Sequence, residues 1–131
     1  MQKHHGLLGK YRPYTIAGLA VLALTGPALA LSLKGLMRQM SDNTSAAKAA
    51  LSSFDARTAE AVLRRYAADA REGKTLFASG QSARDQDMRA RFDRMAAAAE
   101  PPGRQTLDPA SFRKAFVAVV TECKTCHSAH K

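Results

Sequence analysis

Near its C-terminus the chain reads Cys123-Lys124-Thr125-Cys126-His127, and the chemistry open to this run follows from its spacing. Two thiols three residues apart can form thioether bonds to the two vinyl groups of one porphyrin. An imidazole directly after the second thiol is held close enough to ligate the iron. CxxCH is accordingly the signature of covalent c-type haem attachment. The expected roles are thioether formation by Cys123 and Cys126 and proximal iron ligation by His127. These are the only two cysteines, so none is left for a structural disulfide.

A second axial ligand decides what such an iron does. Methionine thioether suits iron in a cytochrome, and Met/His ligation raises the reduction potential. Met37 is the expected distal ligand, with Met40, its neighbour on the same helical stripe, as the alternative. With both axial positions filled, the iron exchanges single electrons and has no open site. If Met37 turns away, the iron is five-coordinate and binds nitric oxide or carbon monoxide. A third reading is a binding protein of the export compartment whose CxxCH receives no haem.

Competing uses of the motif are weaker. Structural zinc draws ligand pairs from separated segments, whereas Cys123, Cys126, His127 and His130 share one helix and cannot surround an ion without unwinding it. A thioredoxin-like dithiol sits at a helix N-terminus, where the dipole lowers a thiol pKa; here the motif ends a helix. His130 is three residues from His127 on the same helix, so the two cannot bind opposite faces of one iron, and His130 is expected at the rim. There is no Gly-rich phosphate loop and no Gly-x-Ser-x-Gly elbow, and no catalytic role is expected.

Four helices must position these residues. Leu33, Leu36, Met37, Met40, Thr44, Ala47 and Leu51 recur at helical spacing, with Lys34, Arg38 and Lys48 turned outward. A second helix starts at the N-cap candidate Asp55 and carries Ala59, Val62, Leu63, Tyr66, Ala70, Gly73 and Phe77 inward, with Gly80 as its stop. Tyr66 is expected in the core with its hydroxyl satisfied at the edge. Ser82 and Asp85 form a capping pattern for a third helix, with Met88, Phe92, Met95 and Ala99 inward, ending before Pro101-Pro102-Gly103. Residues 100–107 form the main loop. Asp108-Pro109 opens the fourth, whose buried stripe runs through Phe112, Phe116, Val119, Cys123, Cys126, His127 and His130.

No stretch alternates in the manner of a strand. The expected fold is all-α, an antiparallel up-down-up-down four-helix bundle enclosing one covalent haem. In that topology the start of the first helix lies beside the end of the fourth. Met37 and His127 then fall about 9 Å and about 6 Å from the same end of the bundle, at 1.5 Å per residue.

Residues 1–30 read as a secretory signal peptide. Lys3, Lys10 and Arg12 make a basic leader, Ile16 to Leu24 an apolar run, Gly26-Pro27 a break, and Ala28-Leu29-Ala30 a small-x-small cleavage site. Cleavage is expected after Ala30, leaving residues 31–131 as one exported, periplasmic domain. The apolar run is short of the roughly 20 residues of a spanning helix, so no stable membrane insertion is expected. The whole chain carries a formal charge of +9. Loss of the three leader cations leaves +6, and two ionised haem propionates would bring it to about +4. The cations are scattered without a basic block or interleaved aromatics, which argues against nucleic acid. Acidic redox protein partners are the better match.

The CxxCH on the last helix, Leu36-Met37 near the start of the first, Phe54-Asp55 at the start of the second and an exported chain of this length resemble the class II c-type cytochromes, the cytochrome c prime family. The resemblance implies a four-helix bundle with Cys123 and Cys126 in the thioethers and His127 as proximal ligand. Low-spin members use a methionine near the start of helix one, which Met37 matches; high-spin members bind nitric oxide and carbon monoxide. Dimers are common in the family, which extends the expectation to a homodimer. His130 and Lys131 stand where Tyr-Arg is common, and only Lys34 where an Arg is common. Lys34, Arg38 and Lys131 are the candidates for a basic group near the haem propionates.

Overall fold

The computed structural model describes residues 32–131; the expected signal peptide and its cleavage point after Ala30 lie outside the described residues. Four helices follow in order, α1 (Leu33–Ser52), α2 (Ala56–Leu76), α3 (Ala83–Ala98) and α4 (Pro109–Ala129). There is no strand among the described residues. None of their helices is long and apolar enough to cross a membrane.

Each helix begins where a short polar side chain can take an otherwise unpaired backbone N–H. Ser32 Oγ accepts from Gly35 N at 3.1 Å. Asp55 Oδ2 accepts from Thr58 N at 2.7 Å. Ser82 Oγ accepts from Asp85 N at 3.1 Å while Asp85 Oδ2 accepts back from Ser82 N at 3.2 Å, a closed capping box. Asp108 Oδ1 accepts from Ser111 N at 2.8 Å, with Pro109 in the first turn.

The end of α2 departs from expectation. The helix stops at Leu76 and Phe77 is its C-cap, three residues ahead of Gly80. No described residue has a positive φ, so Gly80 is not a left-handed stop. Its lack of a side chain serves α3 instead: a Cβ there would overlap the Asp85 carboxylate of the capping box. Its carbonyl accepts from Arg89 Nη1 at 2.7 Å. Gly73 does similar work inside α2, where a Cβ would overlap the Phe92 ring, so this glycine sets how closely α2 and α3 approach.

The core is built from the inner stripes. Leu36, Val62, Leu63, Tyr66, Phe112 and Val119 are fully buried, with Met40, Met88, Phe92 and Met95 nearly so. Helix α2 packs against all three others, α1 and α3 lie on the diagonal, and α1 and α4 are the most sparsely packed neighbours. Two polar contacts cross the α1–α2 seam within this core. Asn43 Nδ2 donates to Asp69 Oδ2 at 2.6 Å, and Thr44 Oγ1 lies 2.6 Å from Tyr66 Oη.

The fourth stripe is not uniformly buried. Phe112, Phe116 and Val119 are in the core, but Cys123, Cys126 and His130 are half-buried and His127 is exposed. Over its last two turns α4 borders a cavity rather than packed side chains, so the expected continuation of the buried face gives way there.

Candidate functional site

Cys123, Cys126, His127 and Met37 line one cavity of about 250 Å³ between α1, α3 and α4, together with Met40. The helical repeat explains each wall. Offsets of three and four residues put Cys123, Cys126 and His127 on one side of α4, and Met37, Met40, Ser41 and Thr44 on one side of α1. Helix α3 supplies Phe92 and Met95 at the same spacing. Three methionines and Phe92 supply the apolar walls and Ser41 and Thr44 two hydroxyls, with two thiols and one imidazole on the α4 side.

A second cavity of about 120 Å³ shares Met37, Cys126 and His127 with the first and adds Leu33, Arg84, Met88 and His130. Met88 Sδ accepts from the Cys126 thiol at 3.6 Å. Arg84 and Met88 had no assigned place at the site in the sequence. Their spacing marks them as neighbours on α3, but only the packing of helices brings the start of α3 beside the end of α4. Lys34, Arg38 and Lys131 are exposed and border neither of these cavities, whereas Arg84 does.

Burial raises the pKa of the Cys123 thiol, with neighbouring Cys126 adding to the shift. Burial also raises Cys126, against a lowering by Arg91. Both shifts run opposite to the lowered pKa of an activated nucleophilic thiol. Among the described residues no three His, Cys, Asp or Glu side chains gather where one metal ion could be held.

Asp87 anchors the end of α4 to α3. Its Oδ2 lies 2.7 Å from His130 Nε2 and 2.6 Å from Arg91 Nε. These hydrogen bonds, Arg91 first and His130 second, hold the Asp87 carboxyl below its ordinary pKa of 3.8. The His130 ring is thus committed to a carboxylate, in keeping with a rim position. Next to the motif, Glu122 Oε1 accepts from Arg94 Nε at 3.0 Å, while its buried Oε2 has no hydrogen-bond partner.

The donor set fits a covalently held haem. Two neutral thiols and an imidazole share one wall, thioethers face them, and no carboxylate lines the first cavity. Its volume lies below the roughly 300 Å³ at which ordinary ligand pockets begin. A macrocycle therefore needs more room than this space alone, and the sparse α1–α4 seam beside it is where the least packing stands in the way. No protein-family model matches the chain, and neither curated proteins nor solved structures yield a match.

Proposed function

We propose that this chain is a monohaem c-type cytochrome of the class II kind that carries single electrons between redox partners in the periplasm. The observation that carries the reading is the convergence of Cys123, Cys126, His127 and Met37 on one mainly apolar cavity. Cys123 and Cys126 would hold the haem by thioethers, His127 would ligate its iron, and Met37 would take the distal position, with Met40 as the neighbouring thioether. When bound, the haem supplies the one-electron couple. The chain's own part is to hold the two ligand types on facing walls, to keep the thiols neutral until they are alkylated, and to surround the site with apolar side chains that exclude water.

The bundle is proposed to run antiparallel, up-down-up-down, around the haem. Three contacts support this course: Leu33 and Met37 share a cavity with His127 and His130, Thr44 and Lys48 share one with Val117 and Thr121, and the Phe54 and Phe112 rings lie 6.2 Å apart. Position rises along α1 as it falls along α4.

The test is the absorption spectrum and intact mass of protein exported from a host with a cytochrome c maturation system. A mass equal to one haem plus residues 31–131, with a low-spin spectrum that carbon monoxide leaves unchanged, is the expected result. A high-spin spectrum that shifts with the gas would assign the five-coordinate, gas-binding alternative. Colourless protein of bare polypeptide mass would defeat both.

A further inference from the structure

The ion pairs of the described residues are unevenly distributed. Each of the six includes at least one residue of α2 or α3, and none reaches α1. Lys34, Arg38 and Lys48 on α1 and Arg113 and Lys124 on α4 are exposed and outside all of them. The only carboxylate of α4, Glu122, is held by Arg94 of α3. The only one of α1, Asp42, lies four residues from Arg38 on the same face, but six from Lys48, about 120° round the helix. At the α1–α4 seam, Lys48 and Lys124 are therefore cationic without a carboxylate beside them.

This face also holds a groove. A cavity of about 390 Å³ opens between α1 and α4, lined by Phe116, Val117, Val120 and Thr121 with Lys48 and Lys124 at its two sides. Val117 is 56 % exposed, the largest exposure of a big apolar side chain among the described residues. Arg113, Val117, Val120 and Lys124 follow at spacings of four, three and four, so one stripe of α4 sets two apolar contacts between two cations. No acidic residue lines the groove.

We propose that this groove is the docking surface for an acidic redox protein, one that presents an apolar side chain ringed by carboxylates. The inference rests on the electron-carrier reading and names the partner for it. Charge complementarity selects the occupant: carboxylates meet the unpaired lysines, and steering by opposite charge speeds encounter. A second copy of the chain would bring like charges together. A flat anionic membrane would neutralise the rim but leave the concave apolar floor unfilled. Position gives the contact its use. Thr44 lines both this groove and the cavity of the motif, and Lys124 directly follows Cys123, so a partner seated here lies one residue from an attachment thiol.

The experiment uses haem-loaded full-length mature protein and a plant-type [2Fe–2S] ferredoxin as the acidic probe. Oxidised ferredoxin, which exchanges no electron with the ferric cytochrome, is titrated into isotopically labelled protein, and amide shifts are expected to cluster on Val117, Val120, Lys124 and Lys48. Stopped-flow reduction by reduced ferredoxin is expected to slow with added salt, and about tenfold or more in Lys48→Glu/Lys124→Glu, whereas Arg57→Glu/Arg104→Glu changes it less than about twofold. Equal effects of the two double variants, shifts on another face, self-association through the groove, or binding to anionic vesicles alone would overturn the docking inference. If the chain proves haem-free yet oxidised ferredoxin still shifts the α1–α4 face in a salt-dependent way, the docking surface stands and the electron-carrier reading falls.

Discussion

Tyr66 Oη lies 2.6 Å from Thr44 Oγ1, and a third atom fixes the direction of the hydrogen bond between them. Thr44 has a single hydroxyl hydrogen, and Oγ1 gives it to the Met40 carbonyl at 2.8 Å. The Tyr66 phenol is therefore the donor. Burial raises its pKa, which keeps that hydrogen in place across the working pH range. The pair links a fully buried side chain of α2 to a threonine at the edge of the candidate site.

Removing the two partners should not cost the same. Tyr66→Phe frees a lone pair on Thr44, which also borders the open groove between α1 and α4, and is expected to cost about 1 kcal/mol. Thr44→Val strands the Tyr66 hydroxyl in the core and is expected to cost more, about 1–3 kcal/mol. Urea unfolding of the two variants measures the order. The reverse order would mean that Tyr66 has another acceptor.

Asp69 is 9 % exposed, and burial raises its pKa above 3.8 despite the opposing hydrogen bond from Asn43. A carboxyl with a raised folded-state pKa favours the fold below its unfolded value of 3.8 and loses that advantage as pH rises through the folded value. Asp69→Asn keeps an acceptor for Asn43 and removes the buried charge. It is expected to raise the melting temperature at neutral pH, with the gain over wild type vanishing below pH 3.8. The capping carboxylates act in the opposite sense. Asp55, Asp85 and Asp108 are held below 3.8, the first two chiefly by the Thr58 and Ser82 side chains and the third by the Ser111 backbone N–H. Their stabilisation is present above 3.8 and fades as pH falls through the lower folded values, so a scan in both proteins separates the two effects.

Gly73→Ala pits two effects against each other. Alanine is favoured over glycine inside a helix by about 1 kcal/mol. Overpacking against the Phe92 ring costs about 1–3 kcal/mol. A net loss of up to about 2 kcal/mol is expected, and Gly73→Ala/Phe92→Leu should recover part of it by making room. A stabilised single variant would show that the ring swings into the adjoining cavity without resistance.

Met37 and Met40 both reach the candidate site but are buried differently, Met37 half-exposed and Met40 5 % exposed. In haem-loaded protein Met37→Ala is expected to convert the iron to high spin and lower its potential, with little loss of stability. Met40→Ala is expected to cost about 2–5 kcal/mol, as core truncations do, and to leave the spectrum low-spin. Absorption spectra and melts of both variants decide. A spectral change in Met40→Ala alone would move the distal role one turn along α1.

By itself the sequence determined the four helices and most of their inner faces, because caps and periodicity are written within a few residues. Ser32 escaped it, since it borders the expected cleavage site, but Asp55, Ser82 and Asp108 stand where their helices begin. The CxxCH run was equally visible, since it occupies five consecutive residues. Tertiary structure alone decided what depends on how helices far apart in sequence abut. It brought Met88 to Cys126 and Asp87 to His130, gave Gly80 to a capping box, buried Asn43 and Asp69 as a pair, and left His127 exposed beside a cavity. The physical reason is range: hydrogen bonds within a turn act on neighbours along the chain, whereas burial and cavity shape are set by side chains that meet only after the helices have packed.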